Sequence, residues 1–235
     1  GSDVLIPYEE IGGGEEYLLR KSEDMSGNLD LMAWAVPAGT DGSDDIPQLR
    51  PGDVMSDIYR RLEPVTRVTE DCYPTECYLH IGRVTTGETL EGETWHEIGM
   101  NYSECRVEVN ITDSNGTFSR PGSDPGVIVY GTMTMMDIDG HGVGSPAAVH
   151  AELASPPGDG VAFTTGRIGV MPSSGGQTVS VAVKDGEQVL ETLTVPASAL
   201  PAGAVSGGLI IFEYTLNAPE FTIIVDGFRQ NIVII

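Results

Sequence analysis

The chain has 235 residues and carries 35 acidic against 12 basic side chains, a formal net charge of −23 at pH 7. Such a field repels nucleic-acid phosphates and anionic bilayers, which argues against binding either through a basic face. The length suits two domains of roughly 100–120 residues, and 30 glycines and 15 prolines with only 6% aromatics favour short strands joined by turns over long helices.

The opening Gly-Ser reads as an expression remnant, which leaves room for a signal peptide or anchoring segment cut away ahead of it. No apolar window reaches the roughly 20 residues that a membrane-spanning helix needs. The runs "EYLLRK" (16–21) and "LDLMAWAV" (29–36) have strand length and flank a turn-like "MSGN". In "GDVMSDIYRRLEP" (52–64), Val54, Ile58 and Leu62 recur at four-residue steps behind Asp53 as a cap and before Pro64 as a stop, which predicts one short helix. "CYLHIGRV" (77–84) alternates Cys77, Leu79 and Ile81 against Tyr78 and His80, and "HEIGMNY" follows. "CRVEVNIT" sets Val107, Val109 and Ile111 against Glu108 and Asn110, as a half-buried strand requires. "VIVYGTMTMM" (127–136) closes the first half.

Next come "DIDGHGVGSPAAVH" and "ASPPGDG" (154–160), a glycine- and proline-rich span that predicts a domain boundary, with domains at 1–138 and 139–235. Beyond it, Val179, Val181 and Val183 alternate ahead of Asp185-Gly186, a dipeptide suited to a type I′ hairpin turn. "GLIIFEYTL" (208–216) and "EFTIIVDGF" (220–228) flank the turn "NAP". The chain ends on "NIVII", an apolar tail that another element or a partner must cover. Asn231, Ile232, Val233, Ile234 and Ile235 are therefore candidate partner-binding residues. No fixed-period repeat is present, which disfavours solenoids and propellers. The fold class expected is all-β, in two tandem domains with at most one or two short helices.

Catalytic patterns fail one by one. "HEIGM" offers His96 and Glu97, but Met100 stands where a zincin places its second histidine. Neither a G-x-S-x-G elbow nor a phosphate-binding glycine loop occurs. Cys77 and His80, three residues apart on a strand, point to opposite faces and make a poor nucleophile–base pair. Acidic residues are everywhere, and nothing selects one pair for glycoside hydrolysis. Asp137, Asp139 and His141 are the candidate metal ligands. Counted as a calcium loop from Asp137, however, position 5 is His141 and position 12 is Ala148, and His150 is distant, so a polar turn is the expected role. No cofactor is expected, and the chain reads as a non-enzyme. Three N-x-S/T sequons begin at Asn101, Asn110 and Asn115 and matter only in a eukaryotic secretory setting. Cys72, Cys77 and Cys105 are too few for a disulfide framework or a paired-spacing zinc site, and any pairing, or none, remains open.

The order of motifs carries more information than any one residue. "LDLMAWAVPAG", then "ECYLHIGRVTTGETLEGETWHEIGMNYSECRVEVNI", then "TTGRIGVMPSSGGQTVSVAVKDGEQVLETLTVP" and a closing strand pair ending in "VDGF" resemble the Bacteroidetes fimbrial anchor proteins of the FimB/Mfa2 type. The resemblance runs from about residue 16 to 230; Phe228 stands where relatives often carry tryptophan. It implies Greek-key, transthyretin-like sandwiches, no catalysis, and attachment to the outer membrane surface by an N-terminal lipid. It also implies fimbrillin-like subunits as partners, joined by addition of a β-strand. The competing reading is a carbohydrate-binding module with Trp34 and Trp95 as stacking platforms; Trp34 lies in an apolar strand where core packing is the simpler role.

Overall fold

The computed structural model describes residues 30–35, 59–62, 64–65, 71–75, 79–85, 97–156, 161–199 and 203–234. Every regular element among them is a strand. In chain order these are β1 (Asp30–Ala35), β2 (Tyr59–Arg61), β3 (Asp71–Cys72), β4 (His80–Thr85), β5 (Asn101–Tyr102), β6 (Cys105–Thr112) and β7 (Pro125–Asp137). There follow β8 (Gly142–Glu152), β9 (Ala162–Val170), β10 (Ser180–Asp185), β11 (Gln188–Thr194), β12 (Leu209–Thr215), β13 (Glu220–Val225) and β14 (Phe228–Val233). The all-β expectation holds.

Three sheets result: β1–β4–β5; β11–β10–β7–β8–β3, with β2 also on β7; and β14–β13–β12–β6–β9. The two larger sheets face each other across one core. β6 supplies Val107, Val109 and Ile111, β7 supplies Val127 and Val129, β10 supplies Val181 and Val183, and β12 supplies Ile210 and Phe212, all essentially without solvent contact. The period-2 alternation in the sequence explains this, because successive strand side chains leave on opposite faces. β6 runs parallel to β12 and antiparallel to β9, the crossing of sequence-distant strands that a Greek key produces. Phe118 meets Phe163 edge-to-face at 5.2 Å between ring centroids, closing one end of the core.

Residues 59–61 of the expected helix form strand β2, and residues 52–58 lie outside the described residues. Arg60 pairs with Met136 in the sheet and is buried, so tertiary pairing overrides a weak four-residue period. The expected division between 138 and 139 falls at the turn of a hairpin, with β7 and β8 as hydrogen-bonded neighbours on either side. The glycine-rich span continues as the 11-residue strand β8. Pro146 is tolerated there opposite Met133, beside a bulge in the β7–β8 ladder. The strand run expected at 16–21 lies outside the described residues.

Asp185 pairs with Gln188, so the loop of the β10–β11 hairpin is Gly186-Glu187, one residue later than expected, with φ of 56° at Gly186. The type I′ geometry appears instead at Asp226-Gly227 between β13 and β14, where φ is 47° and 89°.

Candidate functional site

β14 is an edge strand whose one neighbour among the described residues is β13, in antiparallel register pairing Phe221 with Ile232 and Thr222 with Asn231. Ile234 donates its N–H to the Pro219 carbonyl at 2.8 Å. Antiparallel pairs alternate between residues that bond inward and residues that do not. Counting back from Ile234, the main-chain groups of Arg229, Asn231 and Val233 therefore point away from β13. Ile232 and Ile234 pack half-buried against the core, while Val233 is 64% exposed. The side-chain bonds here run from Thr222 Oγ1 to Asn231 Oδ1 at 2.8 Å and from Arg229 to Glu213, an ion pair at 2.9 Å, and neither covers the outer main-chain edge among the described residues. The candidate tail residues 231–234 thus end the outermost strand of a sheet; Ile235 lies outside the described residues.

The other large sheet ends at β11, and that edge is guarded. Val195 donates to Val179 at 2.9 Å, which by the same alternation turns the Thr192 N–H outward. Glu191 Oε1 accepts that N–H at 3.0 Å, occupying the place an incoming carbonyl would take. Side-chain carboxylates at an edge are a known defence against unwanted pairing. β14 has no such carboxylate on its outward N–H groups among the described residues.

The candidate metal ligands build a turn. Asp137 Oδ1 accepts the N–H groups of Asp139 and His141 at 3.0 and 2.8 Å, and Gly140 takes a φ of 83°. This is the Asx-type turn chemistry that aspartate favours. Asp139 Oδ1 receives a bond from Arg83 of β4 at 2.9 Å. His141 is exposed, with Nδ1 3.4 Å from Asp137 Oδ2. His150 is elsewhere, its Nε2 3.2 Å from Asp71 Oδ1. No group of three or more His, Cys, Asp or Glu side chains suited to a metal occurs among the described residues.

A buried polar joint, absent from the sequence reading, ties the small sheet to the sandwich. Glu104 and Arg60 form an ion pair, and both are buried. Ser103 Oγ lies 2.8 Å from both Glu104 Oε2 and the Leu79 carbonyl, and Arg60 Nη2 donates to Thr75 Oγ1 at 2.9 Å. Beside it, an open cleft of about 440 Å³ is lined by His80, Asn101, Tyr102, Ser206 and Asp226 among others. The Tyr102 ring is engaged by His80 at 4.1 Å and by the Arg106 guanidinium at 4.5 Å. Of the expected stacking residues, Trp34 lies on β1, paired with Ile81, and Trp95 lies outside the described residues. Cys105 is fully buried and burial pushes its thiol up to about 12, while Cys77 lies outside the described residues. Nothing in the sequence pattern marks Glu104 as buried; the one available signal is its place between two strand runs, next to Ser103.

The sequence profile described as fimbrillin-A associated anchor proteins Mfa1 and Mfa2 matches residues 5–227. The chain belongs to this family. Among solved structures, the fimbrial anchor protein Mfa2 from Porphyromonas gingivalis is similar with a TM-score of 0.53 at 12% identity, covering 93% of this chain and 80% of that one. A candidate polysaccharide-binding protein from Bacteroides thetaiotaomicron gives a TM-score of 0.58 at 14% identity, over 88% of this chain and 77% of the other. A candidate adhesin from Bacteroides ovatus gives 0.51 at 11% identity, over 88% and 76%. At these identities the structural likeness shows a shared fold. No curated protein matches the chain. For this Mfa2-family member, the fold and the family profile agree on a β-sandwich protein.

Proposed function

We propose that this chain is a non-enzymatic accessory or anchor subunit of a cell-surface fimbria, which holds a fimbrial subunit by accepting one of its β-strands along β14. Membership of the fimbrillin-A-associated anchor family supports the fimbrial role. The observation that carries the strand-acceptor reading is the uncovered outer edge at Arg229, Asn231 and Val233, set against a β11 edge blocked by Glu191. Main-chain hydrogen bonds along such an edge supply affinity, and side chains facing alternate sides supply selectivity. In this reading the protein sits on the outer membrane through a lipid attached N-terminal to these residues.

The test is binding to purified fimbriae of the parent bacterium, read by surface plasmon resonance and by amide hydrogen exchange. Fimbriae are expected to protect the amides of Asn231 and Val233. Asn231→Pro removes an outward N–H without touching a main-chain bond to β13, losing on that side only the Thr222 hydroxyl's bond to the Asn231 side chain, and is expected to weaken binding at least about tenfold while leaving the melting temperature within a few degrees of Asn231→Ala. Parent-level binding by Asn231→Pro would rule out this edge.

A further inference from the structure

Asn115-Gly116 is the one Asn-Gly step in the chain. Glycine has no β-carbon to shield its nitrogen from the side chain that precedes it. The step lies in the loop between β6 and β7, where Asn115 is exposed. Gly116 takes a φ of 66°, with open space around the position a β-carbon would occupy. Among the described residues, no hydrogen bond holds the Asn115 side-chain amide or the Gly116 N–H. We propose that Asn115 is a site of spontaneous deamidation, and that the isoaspartate formed there frees Phe118 from the end of the core. This is independent of the strand-acceptor reading above.

In the reaction the Gly116 nitrogen gives its proton to solvent base and bonds to the Asn115 side-chain carbonyl carbon. The carbon–nitrogen bond of the side-chain amide breaks, ammonia leaves, and a cyclic imide remains. Water then adds to either imide carbonyl and breaks one carbon–nitrogen bond, which leaves aspartate or isoaspartate. Water is the sole co-reactant. The consequence follows from how the loop is tied. Asp113 is buried and accepts the Asn115 N–H on Oδ1 at 3.2 Å and the Phe118 N–H on Oδ2 at 2.7 Å. Its own N–H bonds the Val161 carbonyl at 2.8 Å, which fixes the carboxylate in place. These bonds seat Phe118 against Phe163. Isoaspartate routes the main chain through the former side chain and so inserts a methylene between the two N–H groups that Asp113 holds. Ordinary aspartate at the same position keeps the main-chain length.

The experiment incubates the whole chain at mildly alkaline pH and follows it by peptide mass mapping, isoaspartate labelling and amide hydrogen exchange. Asn115 is expected to deamidate at least about tenfold faster than Asn101, Asn217 and Asn231, which are also exposed but precede residues with side chains. In the isoaspartate form the Phe118 amide is expected to lose at least about tenfold of its protection, while the amides of β10 keep theirs. Asn115→Ser offers no side-chain carbonyl to attack and is expected to stay unaltered through the same incubation. Freshly prepared Asn115→Asp, which adds the charge without lengthening the main chain, is expected to protect Phe118 like the parent. Deamidation at Asn115 no faster than at the other three asparagines would overturn the site. Unaltered Phe118 protection in the isoaspartate form would overturn its consequence.

Discussion

Glu104 and Arg60 are charged side chains placed where the molecule has least room for charge, and each is held by the other. Removing one partner leaves the other buried and unpaired, which costs far more than the pair itself contributes. Glu104→Gln is expected to destabilise the fold by about 3–5 kcal/mol in urea unfolding. The double replacement Arg60→Met with Glu104→Met should recover most of that loss, because apolar residues of similar volume remove both charges. A loss under about 1 kcal/mol in Glu104→Gln would show that water reaches the pair. Cys105 tests burial differently. Its thiol is pushed from 9.0 to about 12, mainly by desolvation. The unfolded chain therefore releases this proton near 9 while the folded chain keeps it, so ν is larger in the folded state and stability falls as pH rises between those values. The expected contribution approaches about 1.4 kcal/mol per pH unit. It should disappear from the pH profile of Cys105→Ala, measured by chemical unfolding from pH 8 to 11.

Among the elements, β7 shows how backbone needs shape the sandwich. It is 13 residues long and pairs first with β10 and then with β2 on the same side. The bulge between these stretches holds Gly131 at a φ of 82°, with the Thr178 carbonyl packed where a β-carbon would stand. Gly131→Ala is expected to cost at least about 2 kcal/mol, from left-handed strain and a main-chain collision together. A change below about 0.5 kcal/mol in thermal unfolding would refute the tight packing. The Asp-Gly dipeptides at 185–186 and 226–227 make a related point. One forms the type I′ turn at 226–227. The other is shifted by a residue because Asp185 is drawn into the ladder and bonds Ser123 and the Asp124 N–H. A dipeptide specifies which turns are permitted, while neighbouring strands decide the register.

For the whole molecule, a net charge of −23 on a small sandwich produces self-repulsion that folding concentrates. Raising salt from about 0.01 to 0.5 M shortens the screening length from roughly 30 Å to a few ångströms. The melting temperature is expected to rise by several degrees across that range, and a flat response would show that the acids are well compensated locally. By itself the sequence determined the all-β class, the core faces of β6 and β10, and the family, since period-2 alternation and motif order survive without knowledge of partners. It misread 59–61 and overlooked β8, because a weak helical period and a glycine-rich span are both compatible with a strand once neighbours supply the hydrogen bonds. The tail 231–234 was legible as apolar and uncovered. Only the tertiary structure decided that it lies on the outermost described strand of its sheet and that Glu191 bonds the outward Thr192 N–H at the edge of the other. Which strands end a sheet depends on sequence-distant strands pairing, as Arg106 of β6 does with Leu209 of β12, and such meetings leave no local trace in composition or spacing.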